Sequence, residues 1–204
     1  LITNSFSRVL LSLFSRIREN RERLTRVYER ITLVVSYIGM SVFVGIALTA
    51  NAVVPAVFGA QWSDAIPAFR MLAIALIPIV LTANLSTSLL YALGESRAVL
   101  RADFLVNTPY LIALSLFGRS GLPVVLSLYL AYCFAKGLVL QTMSNRELTF
   151  SPGEHIRIYL RVLLRVSVMV VLLPATGALT AHLSTVISAG LQVGVGLAAM
   201  LVIT

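Results

Sequence analysis

Six apolar stretches follow one another along the chain, and each is long enough to cross a lipid bilayer. A transmembrane helix needs about 20 mostly apolar residues to cross a hydrocarbon core of roughly 30 Å. Helices that face water need a polar side, which these stretches lack. The pattern predicts an all-α integral membrane helical bundle. Its expected spans, A to F, cover residues 31–57, 67–93, 99–117, 121–143, 159–181 and 184–204.

The positions between the spans are polar or are helix breakers, and they divide the chain. Gly59 and Gly94 are expected to end spans A and B, and Pro78 lies near the middle of span B. The expected division is 1–17 for the end of a preceding transmembrane helix, 18–30 for a basic, helical cytoplasmic connector, 31–143 for four transmembrane helices, 144–158 for a cytoplasmic loop and 159–204 for two additional transmembrane helices.

The formal net charge of +8 would suggest nucleic acid as the partner of a soluble protein, but the cations are distributed differently. Six arginines lie at residues 16–30, two in the turn between B and C, and three in or beside the turn between D and E. The opposite turns offer Arg119, with Arg70 expected at the membrane interface nearby. The positive-inside rule therefore places the arginine-rich turns and both chain ends in the cytoplasm, and no nucleic acid is expected.

Polar and charged residues inside the spans are the candidate binding residues, because charge is costly in a bilayer. Arg8 lies about 12 Å below Arg16, at 1.5 Å per residue, and shares a helix face with Ser5, Ser12 and Ser15. That face is expected to line a polar interior. The other candidate substrate-binding residues are Lys136 and Tyr132, which share a face with Tyr129 in span D, and Asn84 in span B.

Three further arginines, Arg157, Arg161 and Arg165, recur every fourth residue at the start of span E and are expected to contact lipid phosphates. All eight acidic residues lie in turns or at helix ends, so a cavity with cations and no anions is expected. Such a cavity suits an anionic substrate such as a phosphate or pyrophosphate.

Enzyme chemistry is not expected. The sequence has no paired carboxylates for a common site, no Ser/His/Asp set and no glycine-rich phosphate loop, and its two histidines lie far apart. No metal or cofactor is predicted. The lone Cys133 is expected to be a small buried residue.

Three segments resemble a known family. The stretches LLSLFSRIRENRERLTRVYER, PAVFGAQWSDAIPAFRMLAIALIP and SLLYALGESRAVLRADF are similar to elements of the Wzx-like polysaccharide and lipopolysaccharide exporters. These are lipid-linked oligosaccharide flippases of the multidrug/oligosaccharidyl-lipid/polysaccharide superfamily. The second stretch is the most specific of the three.

The resemblance implies a fourteen-helix protein with two lobes, of which this chain is the C-terminal half and residues 31–143 complete the C-terminal lobe. It implies transport of undecaprenyl-pyrophosphate-linked oligosaccharide across the bacterial cytoplasmic (inner) membrane by alternating access, for polysaccharide or O-antigen biosynthesis. The implied partners are membrane lipids, the lipid-linked oligosaccharide, the N-terminal lobe of the same protein and polysaccharide polymerase machinery.

Three rival functions remain open. One is a drug/cation antiporter of the same superfamily, which the lack of a midspan carboxylate disfavours. Another is a membrane-embedded glycan polymerase or ligase, which the short outward turns disfavour. The third is a purely structural membrane subunit, which the polar stripes on residues 1–17 and spans B and D disfavour. The identity of the sugar and of any coupling ion does not follow from the sequence.

Overall fold

The structure is a computed structural model that describes residues 2–148, 153, 157, 159–164, 166, 167 and 170. All regular structure in this part of the chain is helical. The α-helices are α1 (Ile2–Ile17), α2 (Arg21–Phe58), α3 (Ile66–Pro78), α4 (Asn84–Ala92), α5 (Ser96–Phe117) and α6 (Leu122–Glu147). Short 3-10 turns, Ala60–Ala65 and Gly118–Ser120, follow α2 and α5.

Helix α2 merges the predicted connector with span A. The side chain of Asn20 accepts a hydrogen bond from the backbone N–H of Arg23 at 2.9 Å and so caps the first turn. No breaker follows for more than thirty residues, and the helix continues for 38 residues from the charged segment into the apolar one. It ends where predicted, at Gly59, whose φ of 96° is accessible to glycine and whose N–H donates to the carbonyl of Pro55 at 3.0 Å.

Span B is interrupted in its middle. A five-residue π-helical turn, Ile79–Ala83, directly follows Pro78 and separates α3 from α4. Proline lacks an N–H and disturbs the regular ladder, and a π-turn is one way of absorbing that disturbance. The hydroxyl of Thr82 donates to the backbone carbonyl of Pro78 at 2.6 Å. The segment therefore keeps its polar groups paired while it departs from α-helical geometry.

Four segments of the described chain are long and apolar enough to cross a membrane. They are Arg21–Phe58, Ala60–Ala92, Ser96–Ser120 and Leu122–Glu147, and they correspond to predicted spans A to D. Span E is described only in part, and span F lies outside the described residues. In span E, Val162 and Val166 pack on Tyr37 of α2. This contact attaches the start of span E to α2.

A buried apolar cluster joins the end of α1, the start of α2, the end of α4 and the residue after α6. Its largest members are Phe14, Leu24, Tyr28, Leu89 and Leu148. The guanidinium of Arg21 also donates to the backbone carbonyl of Glu147 at 2.8 Å. The three arginine-rich segments of the sequence consequently lie at one end of the bundle, called here the arginine-rich end.

Candidate functional site

A seam between α5 and α6 brings together the aromatic rings predicted on α6 and one ring from α5. The centroids of Tyr110 and Tyr132 are 4.5 Å apart, and that of Tyr129 lies 6.0 Å from Tyr132 and 6.5 Å from Tyr110. Rings at these separations and tilts are mutually attractive and form a continuous aromatic surface. We call Tyr110, Tyr129 and Tyr132, with Lys136 and Asp103 beside them, the α5–α6 site.

Lys136 is paired with a carboxylate. Its ammonium lies 3.0 Å from Asp103 Oδ1, donates to the hydroxyl of Tyr132 at 3.3 Å and stands 5.7 Å from the centre of that ring. Asp103 lies seven residues into α5, about 10 Å from its start at 1.5 Å per residue. Antiparallel packing of α5 against α6 brings it level with Lys136. The expectation that cations would stand in the cavity without anions was therefore wrong for Lys136.

This ion pair is only partly covered. The side chains of Lys136 and Asp103 are 24% and 37% exposed, so a ligand can reach both groups. Lysine has three N–H donors, and the described residues take two of them. An anion that binds here can accept a hydrogen bond from the remaining N–H of the Lys136 ammonium. It can accept a second one if it displaces Asp103 from Lys136.

A groove of about 390 Å³ runs along the same seam. Small or ring-shaped residues, Pro109, Ala113, Ala131 and Ala135, leave room between the two helices. Tyr110 and Tyr132 also line it, so the groove and the aromatic surface share a wall. The groove starts near Val139, three residues closer to the arginine-rich end than Lys136, and extends away from that end to Leu128. Its lining is almost entirely apolar apart from the tyrosine hydroxyls.

The remaining predicted residues do not join this site. Arg8 is exposed on α1, as are Ser12 and Ser15, because Leu10 and Phe14 occupy the buried face of that helix. The polar interior expected for Arg8 is thus not formed by the described residues. Asn84 is partly buried at the start of α4, where its carbonyl accepts from Ser88 at 2.9 Å.

The arginines predicted to bind lipid lie on the surface where described. Arg157 and Arg161 are exposed, and Arg165 lies outside the described residues. Arg70, expected at the interface, donates to the carbonyl of Ala47 at 3.1 Å and is partly buried against α2. Cys133 is fully buried, as predicted.

A second group of polar side chains lies in the interior of the bundle and was not predicted. The hydroxyl of Tyr28 lies 3.0 Å from that of Ser86, and Ser144 donates to the Ser86 carbonyl at 3.5 Å. The hydroxyl of Thr32 donates to the backbone carbonyl of Tyr28 at 2.8 Å, and Gln141 lies buried on α6 three residues before Ser144. We call Tyr28, Thr32, Ser86, Gln141 and Ser144 the buried polar cluster. Its sequence signal was the helical spacing of Tyr28 and Thr32, hidden by the charges around them.

Comparison with known proteins gives one similarity. The sequence model of a family described as "Polysaccharide biosynthesis protein" matches residues 1–67. The match covers α1, α2 and the connection to α3, which includes the first of the three resembling segments. Neither the curated proteins nor the solved structures give a match. Together with the apolar helices, the similarity supports a membrane protein of polysaccharide biosynthesis or export.

Proposed function

We propose that this protein carries a lipid-linked oligosaccharide across the bacterial cytoplasmic membrane by alternating access. The observation that carries the proposal is the family match over α1 and α2 in a chain with at least four candidate membrane spans. The substrate of this proposal is an oligosaccharide on undecaprenyl pyrophosphate. It is loaded from the inner leaflet, at the arginine-rich end, and released in the outer leaflet for polysaccharide or O-antigen assembly.

The α5–α6 site supplies the chemistry that this substrate needs. Lys136 offers a point charge to the phosphate, and Asp103 neutralises the lysine while no substrate is bound. The tyrosine rings offer flat apolar area with a hydroxyl at the edge, which suits the faces of sugar rings. Arg157 and Arg161 at the arginine-rich end would attract lipid phosphates to the inner leaflet.

The proposal also assigns roles to the other predicted residues and partners. The exposed face of α1 with Arg8 would pack on the N-terminal lobe or line the cavity between the lobes. Asn84, beside the π-turn, would reach the substrate from α4. Polysaccharide polymerase machinery would receive the product, and the protein itself would carry out no covalent chemistry.

The antiporter function keeps one observation in its favour. Asp103 lies within a membrane-spanning segment, and acidic residues there are typical of cation or proton coupling. The transport of drugs is therefore the second candidate. A glycan polymerase or ligase has no comparable support among the described residues.

The test uses the full-length protein in its own host with the chromosomal copy deleted. We expect deletion to abolish surface polysaccharide and to accumulate lipid-linked oligosaccharide in the inner leaflet, and Lys136→Gln to reduce surface polysaccharide more than tenfold. Arg119→Gln, at the opposite end, is the matched control and should export normally. Normal surface polysaccharide after deletion, with new sensitivity to cationic drugs, would reject the proposal in favour of the antiporter.

A further inference from the structure

Span B departs from α-helical geometry in its middle, at the π-turn Ile79–Ala83 that follows Pro78. The proline alone does not account for the turn, because Pro109 lies inside α5 and that helix continues in regular α-helical form to Phe117. Helices bend most sharply at prolines and π-turns, and a π-turn inside a helix often has a functional role. What this π-turn does therefore depends on the contacts around it.

Two glycines on neighbouring helices press on the π-turn. A Cβ at Gly137 of α6 would lie 2.6 Å from Thr82 Oγ1, and a Cβ at Gly39 of α2 would lie 3.1 Å from Val80 Cγ1. The lack of a side chain at both positions is what allows the helices to approach so closely. The π-turn is thus held between α2 and α6, and it can serve as a fixed pivot between α3 and α4.

The two helices on either side of this pivot are attached differently. Helix α4 is held by the contact of Ser86 with Tyr28 at 3.0 Å and by the buried apolar cluster at the arginine-rich end. Helix α3 packs on α2, whose buried residues beyond Tyr37 are all glycine, serine, threonine, alanine or valine, so no large buried side chain of α2 interlocks with it. The hydrogen bond from Arg70 to the Ala47 carbonyl holds α3 about 14 Å from the π-turn, at 1.5 Å per residue. Helix α3 is consequently the half of span B that is freer to move.

A cavity of about 380 Å³ lies beside the pivot. Its lining includes Ile77 and Pro78 at the end of α3, Leu138 of α6 and Leu163 of span E. The lining side chains forgo dispersion contacts across the empty space, so a bend of α3 that closes the cavity recovers them. The cavity therefore gives α3 both room and a direction in which to bend.

The hydroxyl of Ser36 also favours a second arrangement of span B. Ser36 is fully buried on α2, three residues before Gly39, and its hydroxyl has no hydrogen-bond partner among the described residues. Thr32 and Thr49 on the same helix donate to carbonyls of α2 itself. An unpaired buried hydroxyl costs free energy, which a shift of span B recovers if it brings a polar group to Ser36.

We propose that the π-turn is the joint at which span B bends during transport, with α4 fixed and α3 leaning into the cavity. The inference rests on the proposed function, because alternating access needs a bundle with two arrangements, and it adds the segment that moves. A bend of about 20° would move Pro67, which lies about 17 Å from Pro78 along α3, by roughly 6 Å. The hydrogen bond from Arg70 to Ala47 holds the unbent arrangement and breaks when α3 bends.

Pulsed electron–electron double resonance measures the bend in the full-length protein in nanodiscs, with native cysteines, Cys133 among them, replaced by alanine. Spin labels at Pro67 and Ser115 join the far end of α3 to α5, and labels at Tyr91 and Ser115 join α4 to the same point; all three residues are exposed. We expect two distances roughly 6 Å apart for the first pair and one distance for the second. Arg70→Gln should raise the population of the second distance, and a single distance for the first pair in both the wild type and Arg70→Gln would overturn the inference.

A larger side chain in the cavity should lock the joint. Ile77→Phe fills part of the cavity, and Ile74→Phe is its matched control, at an exposed position of α3 outside the cavity lining. We expect Ile77→Phe to leave one distance for the Pro67–Ser115 pair and to lower export about tenfold, without lowering the midpoint of unfolding in detergent. Ile74→Phe should match the wild type. Normal export by folded Ile77→Phe would contradict the joint, and if this variant does not fold, the Arg70→Gln distances decide.

The two proposals fail in distinguishable ways. If wild-type protein restores surface polysaccharide while the Pro67–Ser115 pair keeps one distance and Ile77→Phe exports normally, the joint is wrong and the transport proposal stands. If the distances respond to Ile77→Phe and Arg70→Gln as expected but wild-type protein does not restore surface polysaccharide, the joint stands and the proposed function is wrong.

Discussion

The two polar regions of the bundle differ in how they are covered. The buried polar cluster lies between α2, α4 and α6, and its five members are all below 10% exposure. The α5–α6 site lies on the other side of α6, is partly exposed, and contains a full ion pair beside its tyrosines, whereas the buried polar cluster contains only hydroxyls and an amide. Helix α6 contributes to both regions, with Gln141 and Ser144 on one side and Tyr132 and Lys136 on the other.

From this difference we expect the buried polar cluster to stabilise the bundle and the α5–α6 site to bind substrate. Neutral polar groups that are buried and hydrogen-bonded between helices hold a membrane bundle together, although Gln141 of this cluster also lines a cavity of about 380 Å³. An ion pair that stays partly exposed contributes little to stability, and its charges remain available. Substitutions in the first region should therefore change stability, and substitutions in the second should change substrate binding. The four predictions below test that division in the full-length protein.

The largest effect on stability is expected for Gly137→Ala. A Cβ at this position would lie 2.6 Å from Thr82 Oγ1 and 3.3 Å from the backbone carbonyl of Pro78. Overpacking of this kind costs about 1–3 kcal/mol, and the rigid π-turn has little room to give. Unfolding in detergent, followed by circular dichroism, measures the loss. Gly118→Ala is the matched control, since its Cβ would meet Leu114 at an ordinary 3.7 Å; equal loss in both variants would refute the tight contact.

Tyr28→Phe should come next, with a loss of about 1 kcal/mol. The change removes the hydroxyl that meets Ser86 at 3.0 Å while keeping the ring in the apolar cluster. The same unfolding assay compares it with Tyr91→Phe, whose side chain is exposed. Export by the folded Tyr28→Phe protein should match the wild type, and a selective loss of export at normal stability would show that the cluster contacts substrate.

Asp103→Asn should affect binding more than stability. It removes the competing carboxylate but keeps an acceptor beside Lys136, so the affinity for undecaprenyl diphosphate should rise about threefold, or about 0.6 kcal/mol. Equilibrium binding in nanodiscs measures this change. Lys136→Gln in the Asp103→Asn background should abolish the gain. Weaker binding by Asp103→Asn alone would mean that the aspartate itself holds the ligand.

The smallest effect is expected for Arg21→Gln at the arginine-rich end. The ion pair of Arg21 with Glu147 spans 3.9 Å, and the arginine side chain is 52% exposed. Solvent-exposed pairs are screened and contribute about 0–1 kcal/mol, so the unfolding midpoint should barely move. Arg26→Gln, whose pair with Glu22 is also 3.9 Å long, should behave alike. If Arg21→Gln alone lowered the free energy of unfolding by more than about 1 kcal/mol, the hydrogen bond from Arg21 to the Glu147 carbonyl, and not the ion pair, would be the main stabilising contact.

The helix ends were predictable because they depend on local chemistry. Gly59 and Gly94 end their helices with φ of 96° and 83°, conformations that few other residues adopt. The positions of spans A to D followed from apolar length alone. The connector at residues 18–30 was expected to be helical, but its continuity with span A as one helix from Arg21 was not predicted, although nothing in the charged residues interrupts a helix.

The pairing of Asp103 with Lys136 was not predictable in the same way. The two residues are far apart in sequence and meet only through the register of α5 against α6, which helical periodicity does not give. The buried polar cluster likewise depends on three helices meeting at one level. The aromatic face of α6 was foreseen, whereas its partner Tyr110 on α5 was not.

Helix α2 is longer than a bilayer's hydrocarbon core is thick. At 1.5 Å per residue its 38 residues extend about 57 Å, nearly twice the roughly 30 Å thickness of a bilayer's hydrocarbon core. Either its first turns therefore lie outside the hydrocarbon core, or the whole helix is strongly tilted relative to the membrane normal. Either way, one helix runs from the exposed arginines at its start to Phe58, with Pro55 in its last turn, and the ring of Phe58 lies 6.4 Å from that of Trp62 in the following 3-10 turn.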